Sequence, residues 1–223
     1  MPRILEVRTK ILKANDTLAR QMRDQFEAAG VVVVNLVSSP GTGKTTFLTE
    51  TLTQMMAAGD RVAAIVGDLE TDNDARRLAA SGAPAVQIMT HGCCHLEADM
   101  IQRELPKFDL EQLDYLFIEN VGNLVCPTSW DLGESVRVGL LSVTEGEDKP
   151  LKYPGLFNTS DVAVITKMDL AEVCEFDKNT ALENIASVRP GMRTFETSSK
   201  KRQGFEDWFE YLRACHRNLC QPA

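Results

Sequence analysis

The chain has 223 residues, 43% of them apolar, which suits one α/β domain with a sizeable core and excludes a disordered chain. Its 24 basic and 32 acidic residues leave a net charge of −8, and no long basic run appears, so nucleic acid is not expected as the main partner. No stretch is long and apolar enough to span a bilayer, and the opening MPRILEVRTKILKAND lacks the apolar run of a signal peptide, so no membrane association and a cytoplasmic location are expected.

From the N-terminus, residues 4–28 place Ile11, Leu12, Leu18, Met22 and Phe26 at helical spacing, and Gly30 ends the segment. This predicts a helical piece within residues 1–30 packed on a single domain that spans 1–223. The run Val31 to Val37 is β-branched apart from Asn35 and Leu36, as a strand covered on both faces should be. A helix follows from Lys44 to about Ala58, then a strand from Val62 to Val66. The stretch GDLETDNDARRLAASG reads as loop and helix, Ala85 to Met89 as a strand, and LEADMIQREL as helical. Asp114 to Ile118 and Val162 to Ile165 are apolar runs of strand length, and Met192 to Phe195 is a weaker one. A last helix runs from Phe205 to about Arg217. Strands alternating with helices predict an α/β fold: a three-layer P-loop NTPase with a mostly parallel sheet and helices on both faces. Ligands in such sheets bind beyond the carboxyl ends of the strands.

The segment Ser38-Ser39-Pro40-Gly41-Thr42-Gly43-Lys44-Thr45 matches the phosphate-binding loop pattern, with Ser38 in place of the first glycine. Its flanks agree, an apolar strand before and a helix after. Gly41 and Gly43 let the backbone curl so that N–H groups point at phosphate oxygens, and the helix N-terminus adds partial positive charge. Ser39, Pro40, Gly41, Thr42, Gly43, Lys44, Thr45 and Thr46 are expected around the phosphates. Lys44 should reach the β- and γ-phosphates and Thr45 should ligate Mg²⁺. Asp68 ends the second predicted strand and Glu119 the DYLFIE strand, where each carboxylate could face the same Mg²⁺ or a water beside it. A solvated acidic residue at a strand end is the alternative for both.

Thr166-Lys167-Met168-Asp169 follows the strand VAVI and is similar to the NKxD guanine motif, with threonine in place of asparagine. Two oxygens of an aspartate can accept both the ring N–H and the exocyclic amine of guanine, a pair that adenine lacks, and the lysine stem can cover the base plane. Ser198-Ser199-Lys200 follows the next strand and resembles a loop that touches the guanine carbonyl. Together these favour GTP over ATP. Thr166 leaves the strength of guanine selectivity open.

Of six cysteines, Cys93 and Cys94 stand beside His95, and Cys126 lies just past ENVGNLV. Both loops follow predicted strands and so fall near the nucleotide edge. Cys94, His95 and Cys126 give three donors, and water, His91, Cys93 or a second copy could supply a fourth. Thiolate and imidazole suit Zn²⁺, Ni²⁺ or Cu⁺, a planar set favouring Ni²⁺ and a tetrahedral one Zn²⁺. Isolated cysteines are more often small buried hydrophobes, and Cys174, Cys215 and Cys220 are read so.

The segments ILKANDTLA, NLVSSPGTGKTT, GDLETDNDA, THGCCHLEADM, IENVGNLVCP, EGEDKPLKYPGLF, TKMDL and SSKKRQGFEDW resemble the HypB family, the hydrogenase nickel-incorporation GTPases of the SIMIBI class. The likeness covers nearly the whole chain. It implies a Mg²⁺-dependent GTPase that helps deliver nickel to the large subunit of NiFe hydrogenase. It also implies a metal site at Cys94, His95 and Cys126, formed or completed at a homodimer interface when GTP is bound, and a small zinc-containing partner that shares nickel delivery. Asp68 would carry the catalytic and Mg²⁺-linked role, with Lys44 and Glu119 beside it. The chain begins close to the N-terminal helix, without the cysteine motif and histidine-rich stretch of some members, so N-terminal nickel storage is not expected. A urease accessory GTPase is the nearest rival, but its Cys-Pro-His motif is absent. A scaffold with a vestigial P-loop is opposed by the intact Gly43-Lys44-Thr45, and a small-molecule kinase by TKMD and SSK.

Overall fold

The computed structural model describes residues 2–68, 78 and 81–220, with the side chains of residues 2–8 and 68 outside the description. Helix α1 (Pro2–Ala29) leads into β1 (Val32–Val37), and α2 (Lys44–Ala57) into β2 (Val62–Asp68). Next come β3 (Ala85–Met89), α3 (Ala98–Glu104) and β4 (Tyr115–Glu119). Strand β5 (Val136–Ser142) precedes two short helices, α4 (Lys149–Lys152) and α5 (Pro154–Thr159). The chain closes with β6 (Val162–Thr166), α6 (Lys178–Val188), β7 (Arg193–Glu196) and α7 (Glu206–Cys220). The helix expected in GDLETDNDARRLAASG falls largely outside the described residues.

The seven strands form one parallel sheet in the order β3-β2-β4-β1-β5-β6-β7. Parallel strands are buried on both faces, which is why Val32, Val33, Val34, Leu36 and Val37 need no polar alternation. On one face, Val32, Val34 and Leu36 pack with Phe47, Leu48 and Leu52 of α2 and with Trp208 and Leu212 of α7. Phe47 stacks on Phe205 at 5.5 Å between ring centroids. On the other face, Met22 and Phe26 of α1 meet Val33, Ile65, Ile118 and Ile101 of α3. Leu156, Phe157, Ala181 and Ile185 extend that layer beneath β5 and β6. Each such large apolar side chain contributes about 1.5–3 kcal/mol by leaving water.

Strand β5 was not expected from the sequence. Arg137, Gly139 and Ser142 break up its apolar run, so its strand character rests on pairing with β1 and β6. Gly139 is there for space: a Cβ would sit 2.9 Å from Ser160 Oγ. Asn35, the polar member of β1, is fully buried and bonded. Its Nδ2 donates to Glu134 Oε1 at 3.0 Å, and Glu134 pairs in turn with Arg137. An unpaired amide there would cost about 1–3 kcal/mol.

Neighbouring β4 and β5 leave β1 on opposite sides, so the strand order reverses at β1. The crevice beyond the carboxyl end of β1 is therefore the place for a ligand.

Candidate functional site

The loop from Ser38 to Gly43 turns at that crevice, between the end of β1 and the first residue of α2. Gly41 and Gly43 both adopt positive φ, 78° and 99°, a region that L side chains rarely enter, so the curl depends on them. Pro40 lies against Gly122 beyond β4, where a Cβ would be 3.1 Å from Pro40 Cα. Lys44 is buried, its Nζ donating to Ser38 Oγ at 3.1 Å and facing the Ser39 carbonyl at 3.5 Å. The ammonium is thus held within the loop that would wrap phosphate oxygens.

Thr45 Oγ1 donates to Glu119 Oε1 at 2.7 Å, bringing together two residues that the sequence placed separately around Mg²⁺. Glu119 is buried and stands in register with Leu36 on one side and Val66 on the other. The backbone of Asp68 ends β2, two residues past that register, and its side chain lies outside the described residues. Thr46 is exposed at the start of α2.

Glu145 was not picked out from the sequence as a site residue, yet it sits on the phosphate loop. Its carboxylate accepts from Ser39 Oγ, from Thr42 Oγ1 at 2.8 Å and from the Ser142 backbone N–H at 2.9 Å. Lys149 Nζ, 3.4 Å away, balances its charge. Ser142 and Glu145 form a capping box at the end of β5, and Ser-x-x-Glu was the available signal.

The residues predicted around the base also converge. Thr166 Oγ1 donates to the Thr42 carbonyl at 2.7 Å, so this hydroxyl ties the end of β6 to the phosphate loop. Lys167 has a left-handed backbone, φ 60°, and its Nζ donates to the Gly41 carbonyl at 2.7 Å. Asp169 Oδ1 accepts from Ser198 Oγ at 2.6 Å, which joins the two predicted base elements directly. Ser198 also pairs with Gln203 through two backbone hydrogen bonds, closing a loop that carries half-buried Ser199 and exposed Lys200. Gly204 ends this loop at φ 77°, and a Cβ there would fall 1.8 Å from the Glu196 carbonyl oxygen. Gly204→Ala is expected to destabilise the fold by about 1–3 kcal/mol and to weaken guanine nucleotide binding. A urea midpoint and GDP affinity equal to those of the parent would contradict it.

The predicted metal donors lie at the same end of the sheet. Ligand atoms of Cys94, His95 and Cys126 all fall within 4.8 Å of one another, with Cys94 Sγ 3.7 Å from His95 Nδ1. Cys126 opens a 3-10 turn, Cys126–Ser129, and its backbone N–H is held by Asn123 Oδ1 at 3.1 Å. A hydrogen bond with Cys126, then burial, raises the Cys94 thiol above the ordinary thiol range. Burial lowers the His95 pKa against the opposing pull of Glu97, so the ring is neutral and offers a lone pair at neutral pH. Trp130 stacks on the imidazole at 4.4 Å with 20° between planes, a contact with no sequence signal.

Two contacts join the donor loop to the nucleotide strands. Leu96, next to His95, is fully buried against Gly67 of β2, where a Cβ would collide with it at 2.8 Å. The Leu96 backbone N–H donates to Asn120 Oδ1 at 3.2 Å, and Asn120 in turn bonds the end of β1 through the Leu36 carbonyl. Cys174 and Cys220 are exposed and Cys215 is half-buried, each away from these donors.

Residues 32–196 match the CobW/HypB/UreG nucleotide-binding domain family. The hydrogenase maturation factor HypB of Escherichia coli strain K12 is 46% identical over 212 residues, covering 94% of this chain and 72% of that protein. The hydrogenase/urease maturation factor HypB of Helicobacter hepaticus is 43% identical, covering 94% of this chain and 88% of that protein. The crystal structure of HypB from Helicobacter pylori in complex with nickel superposes with a TM-score of 0.86 at 39% identity, covering 94% of this chain and 98% of that one. With a phosphate loop at the switch point of a parallel sheet and a cysteine–histidine cluster at the same edge, the chain belongs to the HypB family within the CobW/HypB/UreG nucleotide-binding proteins.

Proposed function

We propose that this protein is a GTP-hydrolysing metallochaperone that helps insert nickel into the large subunit of NiFe hydrogenase. Its nickel would be held by Cys94, His95 and Cys126, and a small zinc-containing partner would share the delivery. Nickel is the cargo here, and zinc is the other ion that the donors suit. Two subunits would meet across their nucleotide faces when GTP is bound. The relatives' names support hydrogenase as the target, and the urease role named for one of them would be additional.

GTP would lie with its phosphates on Ser39 to Thr46. Lys44 would stabilise the developing charge on the γ-phosphate. The base would be read by Asp169, with Lys167 and the Ser198–Lys200 loop around it and Thr166 bracing the loop behind. Thr45 and Glu119 form an all-oxygen pair that fits a hard cation, and with Asp68 they would hold Mg²⁺. The bound ion would neutralise charge on the β- and γ-phosphates.

The observation that carries this reading is the seat of Leu96 on Gly67 and Asn120. A change at the ends of β2 and β4 on γ-phosphate loss must reach the Cys94–His95 loop through those contacts. Metal and GTP should therefore strengthen each other's binding by the same factor, about 5- to 150-fold for a typical coupling. The test is nickel titration of the protein loaded with a non-hydrolysable GTP analogue and, separately, with GDP. Tighter nickel binding in the GTP-like form is expected, and identical affinities in both would refute the coupling.

A further inference from the structure

His95 stands between two donor sets. Cys94, His95 and Cys126 form one, while the ligand atoms of Cys93, His95 and Glu97 form another, also within 4.8 Å of one another. The two sets address the imidazole from different sides. Cys94 Sγ faces Nδ1 at 3.7 Å, whereas Glu97 Oε1 faces Nε2 at 3.4 Å. Cys93 Sγ lies between, 3.7 Å from Nδ1 and 3.8 Å from Nε2. Trp130, stacked on the ring, holds it so that each nitrogen keeps its own side.

The two sets differ in chemistry. Two thiolates and an imidazole make the softer and tighter set for a borderline ion such as Ni²⁺ or Zn²⁺. One thiolate, an imidazole and a carboxylate make a harder set that binds the same ion less tightly. The Glu97 side chain is 34% exposed against 13% for the shared His95, so solvent reaches the carboxylate more readily than the imidazole that both sets use. Glu97 makes no side-chain cap bond to α3, and thus its carboxylate has no structural duty at that helix start.

We propose that Cys93, His95 and Glu97 form a second station for the divalent ion, sharing His95 with the Cys94–His95–Cys126 site, through which nickel is loaded and released. This rests on the reading that the latter three residues hold nickel. Cys93, equally near both ring nitrogens, replaces one thiolate as the ion shifts, so the ion always keeps protein donors. Each thiol that becomes a ligand gives its proton to solvent, each thiolate released takes one back, and the imidazole proton passes through solvent to whichever ring nitrogen the ion has left. A station on the path changes the rates in both directions by one factor and leaves the equilibrium alone.

The test uses the full chain, nickel alone and a chelator such as EDTA as acceptor. Cys93→Ala is expected to slow nickel loading and release alike, about tenfold or more, while Glu97→Gln is expected to slow loading by at least as much and to lose up to about tenfold in affinity, because its carboxylate also faces His95 Nε2. An unchanged loading rate in either variant overturns the proposal, and so does an unchanged release rate in Cys93→Ala. So does a loss of affinity as large as that of Cys126→Ala, because the residue would then belong to the principal site. Cys126→Ala, titrated alongside, checks the foundation separately. If it binds nickel as the parent does, the principal site is misassigned and the station falls with it.

Discussion

Lys44→Ala is expected to lower GTP hydrolysis by about 10²- to 10³-fold, the range for removing one preorganised donor from developing charge. The reason lies in where the ammonium sits. It is buried between Ser38 Oγ and the Ser39 carbonyl, so its charge is positioned before any phosphate arrives. Preorganisation of this kind avoids reorganisation during the reaction, and alanine cannot replace it. The side chain is not part of the apolar core that Phe47 and Leu48 build one turn on, so the variant should remain folded. Single-turnover hydrolysis with and without Mg²⁺, beside a thermal melt, is the measurement. A folded variant that hydrolyses GTP at the parental rate would show that the Lys44 ammonium does not stabilise the developing charge. Preferential turnover of ATP by the parent would instead overturn the base assignment built on Asp169 and Ser198.

The second large effect concerns the donors. Changes to outer residues around metal ligands cost about 10- to 100-fold in affinity, so loss of a donor itself in Cys126→Ala should cost about 100-fold or more. Cys94→Ala and His95→Ala should behave alike, and Cys174→Ala, exposed and away from the cluster, should change nothing. The pH dependence has a definite sign. The Cys94 thiol titrates above the ordinary range and is protonated at neutral pH, so nickel must displace its proton. Affinity should therefore fall as pH drops and continue to rise through the alkaline range where free thiols ionise. His95, lowered by burial, is already neutral at pH 7 and adds no proton release there. Isothermal titration in two buffers of different ionisation heat would count the protons. Parental affinity in all three donor variants would remove the metal half of the proposed function.

Much of this was legible residue by residue. The phosphate loop is a local object: two glycines, a lysine and a hydroxyl within eight positions, between an apolar strand and a helix. Its conformation follows from the positive φ of Gly41 and Gly43, which composition alone anticipates. Strands buried on both faces announce themselves as β-branched runs, so β1, β4 and β6 were readable to within a residue or two. Cys94, His95 and Cys126 could be nominated from donor chemistry and their places after strands.

Other features exist only once distant segments meet. Strand β5 carries Arg137 and Gly139, and its place comes from pairing on both sides, with Gly139 leaving room for Ser160. Glu145 reaches Ser39 and Thr42 across about a hundred residues, and Trp130 reaches His95 from the far side of β4. The tie between Thr166, predicted at the base, and the phosphate loop also needs the fold, because its hydroxyl lies 2.7 Å from the Thr42 carbonyl. Hydrogen bonds and ring stacking act over a few ångströms in space and leave no period along the chain. The candidate chemistry of this protein was thus written in short contiguous motifs, while the contacts between the Cys94–His95 loop and the strands that carry the phosphate loop arose from the strand order that packs Gly67, Leu96 and Asn120 together.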